Sequence, residues 1–320
     1  AGLGLSHQGV VGESWEVSVE PSFPSRFADD GCLLRDAIAA QPEAWLGAEV
    51  AAKYGGQTPL LVKLLDAADN LSVQVHPGDG DPHLATDESG KPEAWIVLDA
   101  KPGAGLYLGF REGVGRAEVS ACLNSEGALD ALMNFVPVSV GDTFIIAAGT
   151  PHAIGAGVTL VEPQFVAPGK RGVTYRFWDW CRRYDAEGRQ DPGGTPRELH
   201  IERSLAVTAW ERASASRFIE GCRATPKLLS SGPLERLSLV EWPWFYSERW
   251  RGSGALDLPP IGTMWALCAV HGDALLHFDG ASLPISQGQS AVVPAALGAF
   301  RVEGDALDMI ATYSPTSAPA

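Results

Sequence analysis

Short runs of alternating apolar and polar residues, separated by Gly and Pro, occupy most of this 320-residue chain and constrain its fold most strongly. The stretches VPVSVGDTFIIAAGTPHAIGAGVTLVEPQ, GVTYRFWDW and AFRVEGDALDMIATYS are examples. Side chains alternate across a strand, and Gly and Pro mark turns, so this pattern is typical of all-β sandwiches and barrels. We therefore predict a mainly β fold with a few added helices.

Helical patterns are confined to three places. The stretch CLLRDAIAAQPEAWLGAEVAAKYG has helical spacing that is interrupted by Pro42 and closed by Gly55, and a second helical stretch is predicted at about 116–134. Thr195, a following Pro and Glu198 three residues on have the spacing of a capping box. This pattern predicts a third helix over the adjoining LHIERSLAVTAW.

The pattern along the chain predicts two β domains. Only short β-like runs follow from about residue 217, so we place a first domain with the helical insertions over 1–215 and a second over 216–320. Residues 137–154 and 284–300 share the order strand, Gly turn, strand and small-residue turn, which indicates a repeated unit. The second copy has Ala-Leu where the first has Pro-His, so we expect only the first domain to keep inward polar groups.

Composition narrows the classes of partner. The chain has 24 Lys and Arg against 39 Asp and Glu, a net charge of −15, which argues against binding nucleic acid or anionic membranes. Its five Cys are scattered and form no CxxC pair, as expected for reduced thiols. No apolar run is long enough to span a bilayer, and the first residues do not resemble a signal peptide. We expect a cytoplasmic protein with a small-molecule ligand.

The stretch LSVQVHPGDG places a row of polar residues on one face of a predicted strand. Ser72, Gln74 and His76 alternate with Leu and Val, so the three polar side chains point the same way. Such a row either faces water, as one side of many antiparallel strands does, or lines a site. The pattern by itself leaves both interpretations open.

Two further residues complete a candidate metal-ligand set with this strand. Gln74 and His76 are roughly 7 Å apart along one face, close enough for two side chains to reach one ion. Glu93 of GKPEAW and His152 of GTPHAIG are the natural completions. The resulting nitrogen and oxygen set suits Zn²⁺, leaves Mn²⁺, Fe²⁺ or Co²⁺ open, and argues against copper. A single strand His is more often a core or surface residue, so the four residues are a hypothesis.

The stretches LSVQVHPGD, GKPEAW, VGDTFIIAAGTPHAIGAGVTLVEPQ, TYRFWDW and PRELH, in this order, resemble the type I mannose-6-phosphate isomerase family, in particular its short bacterial form. The resemblance runs from GESWEVS to the C-terminal strands. It implies two cupin (jelly-roll-like) barrels, the second degenerate and without metal ligands. It also implies one divalent metal, usually zinc, and the interconversion of mannose 6-phosphate and fructose 6-phosphate through an enediolate.

The resemblance also assigns roles to individual residues. The metal ligands fall on Gln74, His76, Glu93 and His152, although the position of Gln74 is not always Gln in short bacterial members. The catalytic residues fall on Arg176, Glu162 and Lys91, and the residues that bind substrate on Ser72, Lys63, Lys91 and Arg176. Longer relatives carry a histidine where this chain has Gly90.

The resemblance leaves two other functions to be tested. One is an isomerase for a neutral sugar, mannose or lyxose, in which the basic residues would serve structure. The other is a sugar-binding bicupin without turnover, although such a binder would not need the carboxylate base. The expected partner is a small sugar phosphate, and the expected assembly is a monomer or a homodimer.

Overall fold

The computed structural model describes residues 11–125 and 127–317. Residues 1–10 and 126 of the first predicted domain and residues 318–320 of the second lie outside the described part. Strands predominate, and the predicted mainly β fold is confirmed. The strands before residue 215 are β1 (Glu13–Val17), β2 (Leu60–Asp66), β3 (Val73–Val75), β4 (Glu88–Ser89), β5 (Glu93–Ala100), β6 (Gly105–Phe110), β7 (Met133–Pro137), β8 (Thr143–Ile146), β9 (His152–Ile154), β10 (Val158–Phe165), β11 (Arg171–Gly172), β12 (Tyr175–Trp178), β13 (Arg183–Tyr184) and β14 (Thr195–Pro196).

The helices are short and lie outside the sheets. They are α1 (Leu34–Ala40), α2 (Pro42–Leu46), α3 (Ala48–Lys53), α4 (Arg116–Asn124), α5 (Ile201–Val207), α6 (Trp210–Ala213) and α7 (Phe218–Cys222), with 3₁₀ turns at Leu129–Leu132 and Ala295–Leu297. Among the described residues, no helix is long and apolar enough to cross a lipid bilayer.

Two five-stranded sheets face each other in the first part of the chain. One has the order β1-β2-β10-β5-β8 and the other the order β12-β3-β9-β6-β7. Leu65, Val97 and Leu160 of the first sheet pack between the sheets against Leu106 and Ile154 of the second. The functional side chains described below lie beside this packing.

The later strands pair with one another. They are β15 (Lys227–Ser230), β16 (Leu234–Glu241), β17 (Tyr246–Leu258), β18 (Trp265–His271), β19 (Ala274–Phe278), β20 (Ala281–Ile285), β21 (Ser290–Val293) and β22 (Phe300–Tyr313). They form one eight-stranded sheet whose long central strands are β17 and β22. The sheet buries its own apolar cluster around Trp250, Trp265 and Met309.

A second apolar cluster joins the two parts of the chain. We call it the shared core; it packs Val62, Ile96 and Val161 from the outer face of the first sheet against Phe245 and Cys268 of the later sheet. In the described residues, the only β-bridge between the part of the chain before residue 215 and the part after it is the isolated one between Phe144 and Arg223. The division into domains 1–215 and 216–320, and of each into a barrel, stays a prediction.

Helices occur in all three predicted stretches, but they are shorter than predicted. Pro42 and Gly47 divide the first helical stretch into α1, α2 and α3, because Pro begins a helix readily and Gly47 adopts a positive φ of 76°. The capping box predicted at Thr195 is wrong: that residue pairs with Tyr184 in the β13–β14 hairpin, and α5 begins six residues later. Strand pairing therefore overrides the local capping signal.

We expect Gly47→Ala to destabilise the protein by more than about 4 kcal/mol, the range of the most severe single substitutions. A Cβ at Gly47 would overlap the carbonyl oxygen of Gly262 in the later part of the chain. The control is Gly31→Ala, which has a similar φ of 73° and open space, and should cost only about 1–2 kcal/mol. Urea denaturation measures both; equal losses would mean that the close approach to Gly262 contributes nothing.

Candidate active site

The polar row of LSVQVHPGDG points into the space between the two sheets. Val73 and Val75 are buried in a cluster on the outer side of their sheet, whereas Ser72 and Gln74 line a cavity of about 110 Å³ between the sheets. His76 directly follows β3 on the same side as the row and is almost fully buried. The row therefore lines a site, and the interpretation as a water-facing strand is wrong.

Strand pairing brings His76, Glu93 and His152 together at this cavity. Gln74 pairs directly with His152 across β3 and β9, and Glu93 begins β5 in the opposite sheet. The two carboxylate oxygens of Glu93 lie 3.3 Å from the Nε2 atoms of the two histidines, one on each side. One ligand atom from each of the three buried residues lies within 4.8 Å of the others.

Backbone carbonyls fix the tautomer of both rings. His76 Nδ1 lies 3.0 Å from the carbonyl oxygen of Val173, and His152 Nδ1 lies 2.8 Å from that of Thr150. A carbonyl only accepts hydrogen bonds, so each Nδ1 carries the proton and donates. Each neutral ring therefore presents the lone pair of its Nε2 toward the carboxylate of Glu93.

Burial keeps the two imidazole rings neutral, whereas neighbouring groups keep Glu93 ionised. It lowers the pKa of His76, and it lowers the pKa of His152 to about 3. Burial works in the opposite direction on Glu93, but His76 and the Lys91 ammonium hold the pKa of that carboxyl well below its usual range. The site therefore contains two neutral lone-pair donors and one carboxylate at neutral pH.

This arrangement fits a divalent cation. Lone pairs of two imidazoles and a carboxylate converge with no proton between them, and His76 Nε2 is buried without a hydrogen-bond partner among the described residues. Buried polar atoms normally have a partner, so this donor set is suited to a positive charge. Gln74 lines the same cavity, where its amide nitrogen donates to Ser72 Oγ at 3.0 Å.

Glu162 is the second buried carboxylate of the cavity. It lies on β10 opposite Lys63 of β2, and its Oε1 accepts a hydrogen bond of 2.9 Å from the indole of Trp95. Burial, reinforced by the negative charge of Glu93, raises the pKa of Glu162 to about 7. A carboxyl group with this pKa can both accept and return a proton near neutral pH.

Two lysines bring positive charge to these carboxylates. Lys63 Nζ lies 4.1 Å from the ring centre of Trp15 and 3.8 Å from Glu13, so the GESWE strand β1 holds it in place. Lys91 Nζ lies 3.5 Å from Glu93 Oε2. The alkyl stem of Lys91 packs on Gly172, where a Cβ would come within 3.0 Å of it.

Arg176 stands on the opposite wall, on β12, and adjoins the cavity through Ser72. Its Nε donates to Ser72 Oγ at 3.3 Å, and one terminal nitrogen donates to the carbonyl oxygen of Glu198 at 3.0 Å. The PRELH segment also holds its backbone, because the Arg176 N–H donates to Nδ1 of His200 at 3.1 Å. His200 thus supports the strand that carries this arginine.

The structure places all nine predicted site residues in or beside one cavity. Lys63, Ser72, Gln74, Lys91, Glu93, His152 and Glu162 line it directly, while His76 reaches it through Glu93 and Arg176 through Ser72. The sequence predictions did not include the site contacts of Glu13, Trp15 and Gln164. For Gln164 a signal was available, since it stands two residues after Glu162 and therefore on the same strand face.

The position of Gly90 has a steric reason. A Cβ there would lie 2.7 Å from the carbonyl oxygen of Pro77, in the turn that follows His76. The Gly90 N–H donates to the carboxylate of Asp79 at 2.7 Å. The turn after β3 thus occupies the space that a side chain before Lys91 would need.

Comparison with known proteins agrees with this geometry. Residues 5–103 match the family model described as phosphomannose isomerase type I, catalytic domain. The chain is 30% identical over 308 residues to the mannose-6-phosphate isomerase of Streptococcus mutans, covering 95% of this chain and 89% of the relative. It is also 30% identical over 251 residues to mannose-6-phosphate isomerase ManA of Bacillus subtilis, covering 78% and 73%.

Solved structures share the fold. The mannose 6-phosphate isomerase from Bacillus subtilis superposes with a TM-score of 0.77 at 24% identity, covering 94% of this chain and 89% of that one. A zinc-bound mannose 6-phosphate isomerase superposes with a TM-score of 0.70 at 21% identity, covering 95% and 91%.

The raised pKa of Glu162 predicts a pH-dependent stability difference between the metal-free wild type and Glu162→Gln. The folded state holds the proton more tightly than an unfolded carboxyl, whose pKa is 4.5. The carboxyl therefore favours folding below pH 4.5, and this contribution is lost as pH rises toward 7. We expect the variant to gain on the order of 3 kcal/mol over the wild type across that interval.

Urea denaturation from pH 4.5 to 8 measures this difference. The matched control is Glu112→Gln, which makes the same change at an exposed position. If both variants follow the wild type with the same pH dependence, Glu162 does not have the raised pKa.

Proposed function

The chain belongs to the mannose-6-phosphate isomerase family, and on this basis we propose that it interconverts mannose 6-phosphate and fructose 6-phosphate with the help of a bound zinc ion. The observation that carries the proposal is the convergence of the lone pairs of His76, Glu93 and His152 beside the buried carboxylate of Glu162. A core or surface cluster would not leave such groups without a cation or a proton between them.

His76, Glu93 and His152 would hold the metal, with Gln74 as a fourth ligand from the same wall. Zinc suits two imidazoles with carboxylate and amide oxygens, all on rigid strands. When bound, the ion supplies positive charge that polarises the substrate oxygens and stabilises the negative charge that develops on them. The carbonyls of Val173 and Thr150 keep the two imidazoles in the ligating tautomer.

Glu162 is the proposed base. Interconversion of an aldose and a ketose requires a proton to leave one of two adjacent carbons and return to the other. A carboxyl with a pKa of about 7 is suited to both transfers, and the indole N–H of Trp95 keeps it aimed at the cavity. Lys91, beside Glu93, would stabilise the negative charge that forms on the substrate.

Basic side chains around the cavity suit an anionic substrate. Although the chain is acidic overall, Lys63 and Lys91 line the cavity. Arg176 contacts Ser72, which also lines it. A guanidinium can donate to two phosphate oxygens at once, so Arg176 is the proposed phosphate contact, with Ser72 beside it. These cations favour a sugar phosphate over a neutral sugar as substrate.

Removal of the metal should abolish conversion of mannose 6-phosphate, and zinc should restore it. The protein is stripped with a chelator, metal loss is checked by elemental analysis, and fructose 6-phosphate formation is followed in a coupled assay. His76→Ala, which removes a ligand, should not regain activity with stoichiometric zinc. Full turnover by protein shown to be metal-free would contradict the proposal, and a zinc-loaded wild type without turnover would favour a sugar-binding function.

Arg176→Ala should raise KM for mannose 6-phosphate about 10- to 100-fold, the range expected when one charge-assisted hydrogen bond is lost. Any conversion of unphosphorylated mannose should change little, because that sugar lacks the group that Arg176 would bind. The control is Arg189→Ala, which removes an exposed arginine in the loop between β13 and β14, outside the residues that line the cavity. Equal losses with both sugars would place Arg176 in catalysis or in structure instead of phosphate recognition.

A further inference from the structure

We propose that Gln164 is a positioning residue that ties the metal-binding carboxylate of Glu93 to the carboxylate of Glu162 through one amide group. The role given to Glu162 rests on the proposed function; the link to Glu93 does not. The consequence is that metal affinity and turnover both depend on a residue that touches neither the metal nor the substrate.

Strand register places Gln164 between the two carboxylates. It lies on β10, two residues after Glu162 on the same face, and it pairs directly with Glu93 across β10 and β5. On its other side it pairs with Leu61 of β2. Its side chain is fully buried, so bulk water does not reach its amide.

A single nitrogen donates to both carboxylates. Gln164 Nε2 lies 2.7 Å from Oε2 of Glu93 and 2.8 Å from Oε2 of Glu162. A side-chain amide has two N–H groups, one for each of these bonds. The Glu93 carboxylate is ionised and only accepts hydrogen bonds, so it determines that the nitrogen of this amide, and not its oxygen, faces the two carboxyl groups.

The same orientation leaves the other end of the amide unpaired. Gln164 Oε1 is buried and has no hydrogen-bond partner among the described residues. A buried carbonyl oxygen without a hydrogen-bond partner destabilises the folded state. Stability alone therefore does not explain a glutamine at this position. We attribute its role to the two hydrogen bonds that its nitrogen donates.

A neutral double donor is what this position requires. A carboxylate at residue 164 would add a third negative charge beside Glu93 and Glu162, and an aliphatic side chain would leave two carboxylate oxygens without a donor. An ammonium would compete with the cation that the histidines and Glu93 are arranged to hold. The amide alone satisfies both oxygens without changing the charge of the site.

Gln164 holds the Glu93 oxygen that also faces His76 and Lys91, whereas the other oxygen faces His152. Oε2 of Glu93 also lies 3.3 Å from His76 Nε2 and 3.5 Å from Lys91 Nζ. Of these contacts, the bond from Gln164 is the shortest. The rotation of the Glu93 carboxyl group, and with it the direction of its lone pairs, therefore follows the position of the amide.

The test compares Gln164→Leu and Gln164→Asn with wild type and with Thr159→Val. The Leu variant removes both donors, and the Asn variant keeps the amide but is one bond too short to reach both carboxylates. Thr159→Val is the matched control, since it removes a hydrogen bond to Asp66 from the same strand outside the site. Zinc affinity is measured by competition with a chromogenic chelator. Values of kcat and KM are measured with mannose 6-phosphate, and folding is checked by thermal denaturation.

We expect both Gln164 variants to lose about 10- to 100-fold in zinc affinity, and in kcat when saturated with zinc, with a much smaller change in KM. Thr159→Val should keep both quantities. If the Leu variant does not fold, the Asn variant decides. Wild-type zinc affinity and kcat in a folded variant would overturn the proposal, as would losses matched by Thr159→Val.

Failure of the proposed function can be recognised separately. If zinc-loaded wild type does not convert mannose 6-phosphate, the proposed function is wrong. The zinc affinities of the variants still decide whether Gln164 controls Glu93. If wild type is active and the variants differ from it in zinc affinity but not in kcat, the link to Glu162 is wrong.

Discussion

The register of β10 between β2 and β5 is the constraint on which the candidate site depends. It sets Glu162 opposite Lys63 and Gln164 opposite Glu93, and it turns Val161 and Phe165 toward the shared core. Because side chains alternate along a strand, a shift by one residue would exchange the two faces of β10. Charged and polar groups would then enter the shared core, so the packing on one face enforces the chemistry on the other.

The sequence predicted the local parts of this arrangement. Alternation in LSVQVHPGDG indicated that Ser72, Gln74 and His76 share a face, and the structure brings that face to Glu93 and His152. The roles of Glu162, Lys91 and Arg176 came from family motifs; the structure supports their proximity and leaves their roles as proposals. What could not be predicted are pairings between distant segments. The contact of Lys63 with Trp15 exists only because β1 pairs with β2, which no local pattern specifies.

The later sheet contains a polar centre of a different kind. Glu248 is buried there, and it accepts hydrogen bonds from Arg236, Trp250 and Tyr313. Its charge is matched by a guanidinium, and its oxygens are supplied with donors. In the first part of the chain the histidine lone pairs face a carboxylate and no donor. The first polar centre is therefore arranged for a cation, whereas the buried carboxylate of the second already has its counter-charge and its hydrogen-bond donors.

The shared core determines which piece of the chain can stand alone. The sheet that carries Glu93 and Glu162 has an apolar outer face, with Val62, Ile96 and Val161 covered by residues of the later sheet. A fragment ending near residue 215 would keep every proposed ligand and yet expose this face to water, which favours association with other apolar surfaces. Among the described residues, the later sheet contributes no side chain to the cavity, but its apolar side chains cover the outer face of the site-bearing sheet. We therefore expect the site to need a larger part of the chain than the residues that form it.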